Sequence, residues 1–231
     1  MKIFLSGQKA FGAAVFELLR ARGHEVVAVC APEHRTGGTA APLPDRLRQA
    51  AEDAAVPWMP AGGLTAETLP DGVDLIVAAH SHDFVGRRTR LRARLGGIGY
   101  HPSLLPLHRG RDAILWALKM GERITGGSIY WLSDNIDGGD IAAQDWCFIL
   151  AGDNAEALWR RELFSVGLRL FDRVLSDLER GIFVAVPQDE SLATWEPSWE
   201  RPPLRRADLL LLGDGGFPAR RIERCPTALH R

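Results

Sequence analysis

Two segments of the chain contain the residues best suited to proton-transfer chemistry. His101 lies in YHPSLLPLHRGRD (100–112), and Asp137 lies in DNIDGGD (134–140). An imidazole beside a carboxylate is a common general acid–base pair near neutral pH. A histidine before a proline is often structural, and the aspartate downstream is what favours a catalytic role. Pro102 biases His101 toward an extended conformation, which predicts that His101 ends a strand and faces a crevice.

The first turn of the chain, GQKAFG (7–12), has the glycine spacing of nucleotide-binding turns but lacks their other residues. Lys9 occupies the middle place, where the pyrophosphate of a dinucleotide requires a bare backbone. The two residues after Gly12 are alanines, where a P-loop requires Lys and then Ser or Thr. The sequence therefore disfavours nicotinamide and nucleoside triphosphate ligands here. It favours a tight strand-to-helix turn, with substrate contact through Gln8 as the alternative.

The segment AHSHDF (79–84) ends another apolar run with polar residues. Strand alternation places His80 and His82 on one face, a pattern that suits a metal ion. No third ligand at a metal-site spacing is evident nearby in the sequence. We therefore expect a loop that lines a pocket and no bound metal. A metal-dependent hydrolase remains a competing interpretation.

Apolar runs that alternate with helical patterns predict the elements that position these residues. The strand signals are KIFL, HEVVAVC, VDLIVAA and GIGYH, followed by ITGGSIYWLS and IAAQDWCFIL on either side of DNIDGGD. The helix signals are FGAAVFELLRARG, PDRLRQAAEDAA, RRTRLRARL and a long helix over residues 154 to about 180, for which Asp153 and Glu156 form a predicted capping box. We predict an α/β, Rossmann-like, mostly parallel sheet with helices on both faces, and ligands at the carboxyl ends of its strands.

Domain organisation and composition narrow the classes of partner. We predict a catalytic domain over residues 1–190 and a C-terminal extension over residues 191–231, either a packed arm or partly disordered.

Lys and Arg number 28 against 29 Asp and Glu, so no overall charge attracts a polyanion, and we expect no nucleic acid partner. Without a signal peptide or a long apolar run, we expect a cytoplasmic protein without membrane contact. Three widely spaced cysteines predict reduced thiols, and the oligomeric state stays open.

The two motifs at their observed separation resemble the folate-dependent formyltransferase family. HPSLLPLHRG followed by DNIDGGDI is similar to motifs of glycinamide ribonucleotide formyltransferase, methionyl-tRNA formyltransferase and 10-formyltetrahydrofolate hydrolases. The resemblance extends from MKIFLSGQKAFG to about residue 197. It is greatest toward the amino-terminal hydrolase domain of 10-formyltetrahydrofolate dehydrogenase.

The resemblance implies a Rossmann-like fold, 10-formyltetrahydrofolate as co-substrate, no metal, and His101 and Asp137 as the catalytic pair. It also implies a pterin pocket built from the two loops near that pair. The pocket residues would be His80, Ser81, His82, Asp83, Phe84, Val85, Asp134, Asn135, Ile136 and Gly138.

Gly99 departs from the transferase pattern. Transferase members have an asparagine two residues before the histidine, where it supplies a second donor to the oxyanion of the tetrahedral intermediate. Loss of such a donor costs about 2.7 to 4 kcal/mol of transition-state stabilisation. We expect a replacement donor from Gln8, His80, His82 or a bound water. The wider set of substrate or oxyanion candidates is Gln8, Gly99, Ser103 and Arg109.

The formyl acceptor is the open part of the functional prediction. We predict transfer to a small amine, because the residues after about 197 are too few for the tRNA-binding barrel of methionyl-tRNA formyltransferases. Water as the acceptor, which would make the protein a hydrolase, is the alternative. A catalytically inactive folate-binding protein is the alternative of another class.

Overall fold

The computed structural model describes residues 1–34, 43–81 and 83–197. Among these residues, seven strands form one sheet in the order β3-β2-β1-β4-β5-β6-β7. The strands are β1 Lys2–Gly7, β2 Glu25–Ala31, β3 Trp58–Pro60, β4 Leu75–Ala79, β5 Gly97–His101, β6 Ile124–Trp131 and β7 Ile141–Phe148. The α-helices are α1 Lys9–Ala21, α2 Arg46–Asp53, α3 Arg87–Arg90, α4 Ala113–Lys119, α5 Ala155–Leu158 and α6 Phe164–Glu179.

The sheet is parallel from β3 to β5 and antiparallel from β5 to β7. The carboxyl ends of β1, β4 and β5 therefore meet at one edge. Because β6 is antiparallel to β5, the turn that joins β6 to β7 begins beside Gly97, at the amino end of β5. This is the mostly parallel, Rossmann-like arrangement that the sequence predicts. Gln8, His80 and His101 lie at the carboxyl ends of β1, β4 and β5 at that edge. Asp137, in the turn after β6, reaches His101, with its Oδ2 3.7 Å from Nδ1.

Both faces of the sheet are buried, and alternate residues of each parallel strand pack into the core on opposite sides. Ile3 and Leu5 of β1 pack with buried residues of α1, α2 and α6. Phe4, between them, packs on the other face with residues such as Val85 and Ala93, around the short helix α3. Because that helix has only four residues, the predicted helix over RRTRLRARL is wrong in its length.

The long helix predicted over residues 154 to about 180 is interrupted. A π-helical turn, Trp159–Leu163, separates α5 from α6. The predicted capping box of Asp153 and Glu156 is also wrong, because Asn154 is the N-cap and its side chain accepts from the amide of Ala157. The Asp153 carboxylate instead accepts a hydrogen bond from the Leu150 amide at 2.8 Å.

Residues Met1–Glu196 form one compact unit. The predicted division at residue 190 and the predicted extension stay predictions, since the described residues end at 197. Cys30 and Cys147 are free and buried, whereas Cys225 lies outside the described residues. None of the helices in the described part of the chain is long and apolar enough to cross a membrane.

Candidate active site

His101 is the last residue of β5 and is buried. Its Nε2 atom lies 2.6 Å from the carbonyl oxygen of His108. A carbonyl oxygen only accepts hydrogen bonds, so Nε2 carries a hydrogen and donates it. The other ring nitrogen, Nδ1, is therefore the one left for chemistry. It lies 3.7 Å from Oδ2 of Asp137.

Asp137 is held by two hydrogen bonds to its carboxylate. The hydroxyl of Tyr130 donates to Oδ1 at 2.6 Å, and the amide of Gly110 donates to Oδ2 at 2.7 Å. The 3.7 Å separation from His101 is too long for a hydrogen bond but within ion-pair range. The His108 carbonyl orients the imidazole of His101, so the Asp137 carboxylate interacts with that ring through charge and not through a hydrogen bond.

Arg109 connects the His101 loop to a later part of the chain. Its guanidinium group is almost fully buried and donates to Gln188 at 2.7 and 3.1 Å and to Glu190 at 2.7 and 2.8 Å. Gln188 in turn donates to the carbonyl oxygens of Asp137 at 2.8 Å and Gly139 at 2.6 Å. All three guanidinium nitrogens therefore bond within the chain. Arg109, predicted as a substrate or oxyanion contact, thus joins the His101 loop to residues 188–190 in the structure.

Two further candidates from the sequence differ in their hydrogen bonding. The hydroxyl of Ser103 donates to the Leu107 carbonyl at 2.6 Å, so its hydrogen is already used. Gln8 is the N-cap residue of α1, and its amide donates to the Ala79 carbonyl at 3.3 Å. The buried Gln8 side chain has no hydrogen-bond partner among the described residues. Gln8 is thus a candidate donor whose side-chain amide is not used in a hydrogen bond to any described residue.

The loop after β4 is anchored by its aspartate. The carboxylate of Asp83 accepts hydrogen bonds from the Gly62 amide at 3.0 Å, from Ser6 at 3.4 Å and from the Cys30 thiol at 3.3 Å. Ser81 lies 2.8 Å from the Ser6 hydroxyl. Burial, together with the charge of Asp83, raises the pKa of Cys30 to about 12. Asp83 and Ser81 therefore attach this loop to the ends of β1 and β2.

The two loops assigned to the pterin pocket lie next to each other. Arg90 is buried and donates to the Val85 carbonyl at 2.5 Å and to Asp134 at 2.5 Å, so it joins the two loops. Phe84 is 60% exposed and Ile136 is 55% exposed, although both are large and apolar. Each loop therefore presents one apolar side chain to solvent.

The other residues predicted to form the pterin pocket lie in the same two loops. His80 follows β4 and adopts a positive φ of 58°, and His82 lies outside the described residues. Asn135 accepts a hydrogen bond from Ser133 through its carbonyl, and the Gly138 amide donates to that same carbonyl at 3.2 Å. Among the residues described, no group of three or more His, Cys, Asp or Glu side chains is arranged to hold a metal ion.

A cavity of about 450 Å³ lies beside these loops. Its walls include Arg90, Gly97 and Leu132, with the rings of Trp131 and Phe183 stacked 4.3 Å apart between their centroids. Neither His101 nor Asp137 lines the cavity. The cavity lies at the amino end of β5, where Gly97 is, whereas His101 is at the carboxyl end of that strand.

Tyr130 is a site residue that the sequence analysis missed. It lies opposite Gly99 in the antiparallel pairing of β5 and β6. A side chain at Gly99 would place its Cβ 3.2 Å from the Tyr130 ring and 3.1 Å from Leu132. The signal available in the sequence was the motif GGSIYW, whose tyrosine was assigned only to a strand.

Comparison with known proteins decides the family. Residues 1–168 match the family described as "Formyl transferase". The chain belongs to the formyl transferase family. Human "Cytosolic 10-formyltetrahydrofolate dehydrogenase" is 35% identical over 210 residues, which cover 85% of this chain and 22% of the relative. "Methionyl-tRNA formyltransferase" of Anaeromyxobacter dehalogenans (strain 2CP-C) is 33% identical over 232 residues, which cover 91% of this chain and 72% of the relative.

Solved structures agree with the fold of this formyl transferase family member. An "N-formyltrasferase" from Helicobacter canadensis, in complex with folinic acid and dTDP-3-aminofucose, matches with a TM-score of 0.68 and 15% identity, covering 84% of this chain and 70% of that one. Phosphoribosylglycinamide formyltransferase from Bacillus Halodurans matches with a TM-score of 0.61 and 20% identity, covering 77% and 95%. The predicted family and Rossmann-like fold are confirmed. The chain spans about a fifth of the length of the dehydrogenases it matches (22%).

Proposed function

We propose that this protein transfers the formyl group of 10-formyltetrahydrofolate to a small amine, with His101 and Asp137 as the catalytic pair. The observation that carries the proposal is the buried pair itself, with Nδ1 and Oδ2 3.7 Å apart at the carboxyl end of the sheet. Family membership supports the reaction class. The dehydrogenase relatives, and the structural neighbour bound to folinic acid, support a folate as the formyl donor.

The two side chains have distinct tasks in this reaction. The acceptor amine attacks the formyl carbon, and the carbonyl oxygen becomes an oxyanion. His101 donates to that oxyanion from Nδ1, which requires the doubly protonated imidazole because Nε2–H is bound to His108. The facing carboxylate of Asp137 stabilises this cation. Asp137 also accepts the proton that the amine loses. As the bond from the formyl carbon to N10 breaks, N10 takes up the proton that Asp137 accepted from the amine, and Asp137 returns to a carboxylate.

The folate pocket lies between the loops 80–85 and 134–138 in this proposal. A pterin is flat and mostly apolar on its faces, and the exposed side chains of Phe84 and Ile136 offer apolar contact from the two loops. At Gly138 an added Cβ would come 2.9 Å from the side chain of Asn135, so the glycine keeps this turn tight. These features fit a flat ligand that lies against a close-packed backbone.

A small amine is the favoured acceptor because a structural neighbour is described in complex with a nucleotide-linked amino sugar, dTDP-3-aminofucose. Water as the acceptor is the second candidate. Gly99 keeps it open, because this chain lacks the asparagine of the transferase pattern at that position. The two candidates differ only in the nucleophile, so one assay separates them.

The test is to mix the purified protein with 10-formyltetrahydrofolate and follow tetrahydrofolate release, first in buffer and then with a panel of small amines and amino sugars. Release that requires an amine supports the transferase, and release in buffer alone supports the hydrolase. His101→Ala should abolish either activity, and Asp137→Asn should reduce it about 10²- to 10⁴-fold. Folate binding without release would instead indicate an inactive binding protein. Loss of activity in excess chelator would favour a metal-dependent hydrolase.

A further inference from the structure

We propose that Tyr130 is a positioning residue for this reaction, with its ring over Gly99 and its hydroxyl holding the carboxylate of Asp137. This inference rests on the proposed function, because it concerns how the catalytic carboxylate is fixed. It assigns a purpose to Gly99 that the motif alone does not give. The glycine leaves room for an aromatic side chain from the neighbouring strand.

The first line of evidence is the space above Gly99. Gly99 lies in the middle of β5, fully buried, and is paired directly with Tyr130 of β6. An added Cβ would meet the ring carbons Cε1 and Cζ of Tyr130, both at 3.2 Å, and Cδ2 of Leu132 at 3.1 Å. Distances this short require the neighbouring side chains to move. A glycine inside a strand commonly marks such a close approach, and here the tyrosine ring makes it.

The second line of evidence is the hydroxyl of the same side chain. It donates to Oδ1 of Asp137 at 2.6 Å, while the Gly110 amide donates to Oδ2 at 2.7 Å. With both oxygens bound, the carboxylate cannot rotate, and Oδ2 stays directed at His101. Burial, and then the charge of Asp137 and its hydrogen bond, raise the pKa of Tyr130 well above 10, so the phenol remains a donor. The Tyr130 side chain thus fills the space above Gly99 and orients the carboxylate of Asp137.

This geometry predicts the effect of restoring the asparagine of the transferase pattern at position 99. Gly99→Asn restores the residue of the transferase pattern, but it should lower activity here, because its Cβ pushes the ring and with it the hydroxyl away from Asp137. Removal of the ring should relieve the conflict. The variant Gly99→Asn with Tyr130→Ala should gain stability over Gly99→Asn in relative terms but stay as low in activity, since it also lacks the hydroxyl that holds Asp137.

The direct test compares the only two tyrosines of the chain. Tyr130→Phe keeps the ring and loses the bond to Asp137, so kcat should fall about 10- to 100-fold with KM for the folate unchanged. Tyr100→Phe is the matched control, because it loses a buried phenol bond to the Leu163 carbonyl of 2.7 Å with no contact to Asp137. It should keep the kcat of the wild type. Equal kcat in Tyr130→Phe and Tyr100→Phe, corrected for the folded fraction, would overturn the inference.

A second measurement does not depend on activity. Unfolding by urea of the wild type, Gly99→Asn, Tyr130→Ala and the double variant forms a double-mutant cycle. We expect Gly99→Asn to cost less stability once the ring is absent, and an equal cost in both backgrounds would contradict the contact. If the wild type releases no tetrahydrofolate under any condition, the proposed function fails, and this cycle still tests the ring over Gly99. If the wild type is active and Tyr130→Phe matches it, only the inference fails.

Discussion

Glu196→Gln should destabilise the protein at pH 6 and much less at high pH. Glu196 and Glu122 lie on either side of the buried ring of His108, whose carbonyl accepts the hydrogen bond from His101. The Glu196 carboxylate is 3.1 Å from Nδ1, and the Glu122 carboxylate is 2.9 Å from Nε2. Burial alone lowers the pKa of His108, but its contacts with Glu196 and Glu122 outweigh burial and raise the pKa above 6.5. The folded protein therefore favours the charged imidazole.

The sign and size of the effect follow from this arrangement. A histidine with a raised pKa in the folded state contributes stability that is fully present below the unfolded pKa of about 6.5 and is lost as pH rises through the folded pKa. The contact with Glu196 is an ion pair without hydrogen-bond geometry, because Nδ1 of His108 and Oε2 of Glu196 have no hydrogen-bond partner among the described residues. A pair of unit charges about 4 Å apart attracts by about 4 kcal/mol at an effective dielectric constant of about 20, and desolvation of the two groups offsets part of this. Because the Glu196 side chain is only 6% exposed, solvent screens this contact little. We expect Glu196→Gln to lower the free energy of unfolding by about 2 kcal/mol at pH 6 and Tm by about 4 to 8 °C.

The assay is urea unfolding of the wild type and Glu196→Gln from pH 5.5 to 9.5, with the difference between the two plotted against pH. The difference is needed because burial lowers the pKa of His24, which gives the raw stability curve a contribution of opposite sign. Glu156→Gln is the matched control, since its partner Arg160 is on an exposed helix surface and the pair contributes little. A difference between wild type and Glu196→Gln that stays constant across this pH range would refute the reasoning.

Three further predictions concern stability and reactivity. Asn154→Ala removes the side-chain cap of α5 and should cost about 1 kcal/mol in urea unfolding, and no change would mean that the cap is not formed in solution. Ala55→Gly should stabilise the protein by about 1 kcal/mol, because Ala55 has a φ of 54°, and a loss of stability would contradict the strain. Burial raises the pKa of Cys30 to about 12 and of Cys147 to about 11, so peptide mapping after iodoacetamide treatment at pH 8 should find both unmodified in folded protein and modified in urea.

Much of the sheet could be predicted because buried parallel strands are nearly continuous apolar runs. VDLIVAA and GIGYH became β4 and β5, and the rule that ligands bind at carboxyl strand ends located His101. The three-residue strand β3, WMP, is too short to give such a pattern and was missed. The apolar periodicity of the last helix also continues through its π-helical turn, so the interruption left no signal.

The partners of the polar site residues could not be predicted, because they come from distant parts of the chain. Arg109 and Ser103 were plausible substrate contacts by their proximity to His101 in sequence. In the structure the guanidinium of Arg109 turns to residues about 80 positions later, and the hydroxyl of Ser103 bonds to a carbonyl four residues on. A motif gives the residue type and the backbone position, whereas tertiary packing sets the direction of the side chain. Tyr130 escaped notice for the same reason.

Backbone strain is concentrated around the candidate site. Six described residues other than glycine have a positive φ, and five of them lie at the turns around the site: Lys9, His80, His108, Asp112 and Asp137, with Ala55 the exception. Such conformations cost about 1 to 3 kcal/mol each and persist only where neighbouring contacts fix them. At two of the five residues the fixing contacts come from one segment, since Gln188 binds the Asp137 and Gly139 carbonyls and Thr194 binds the His108 amide. At Lys9 the Asp45 carboxylate binds the backbone amide instead. Residues 188–196 therefore offset the strain at Asp137 and at His108, and the His108 carbonyl in turn accepts the hydrogen bond from His101. The segment after α6 thus helps to fix the positions of both His101 and Asp137.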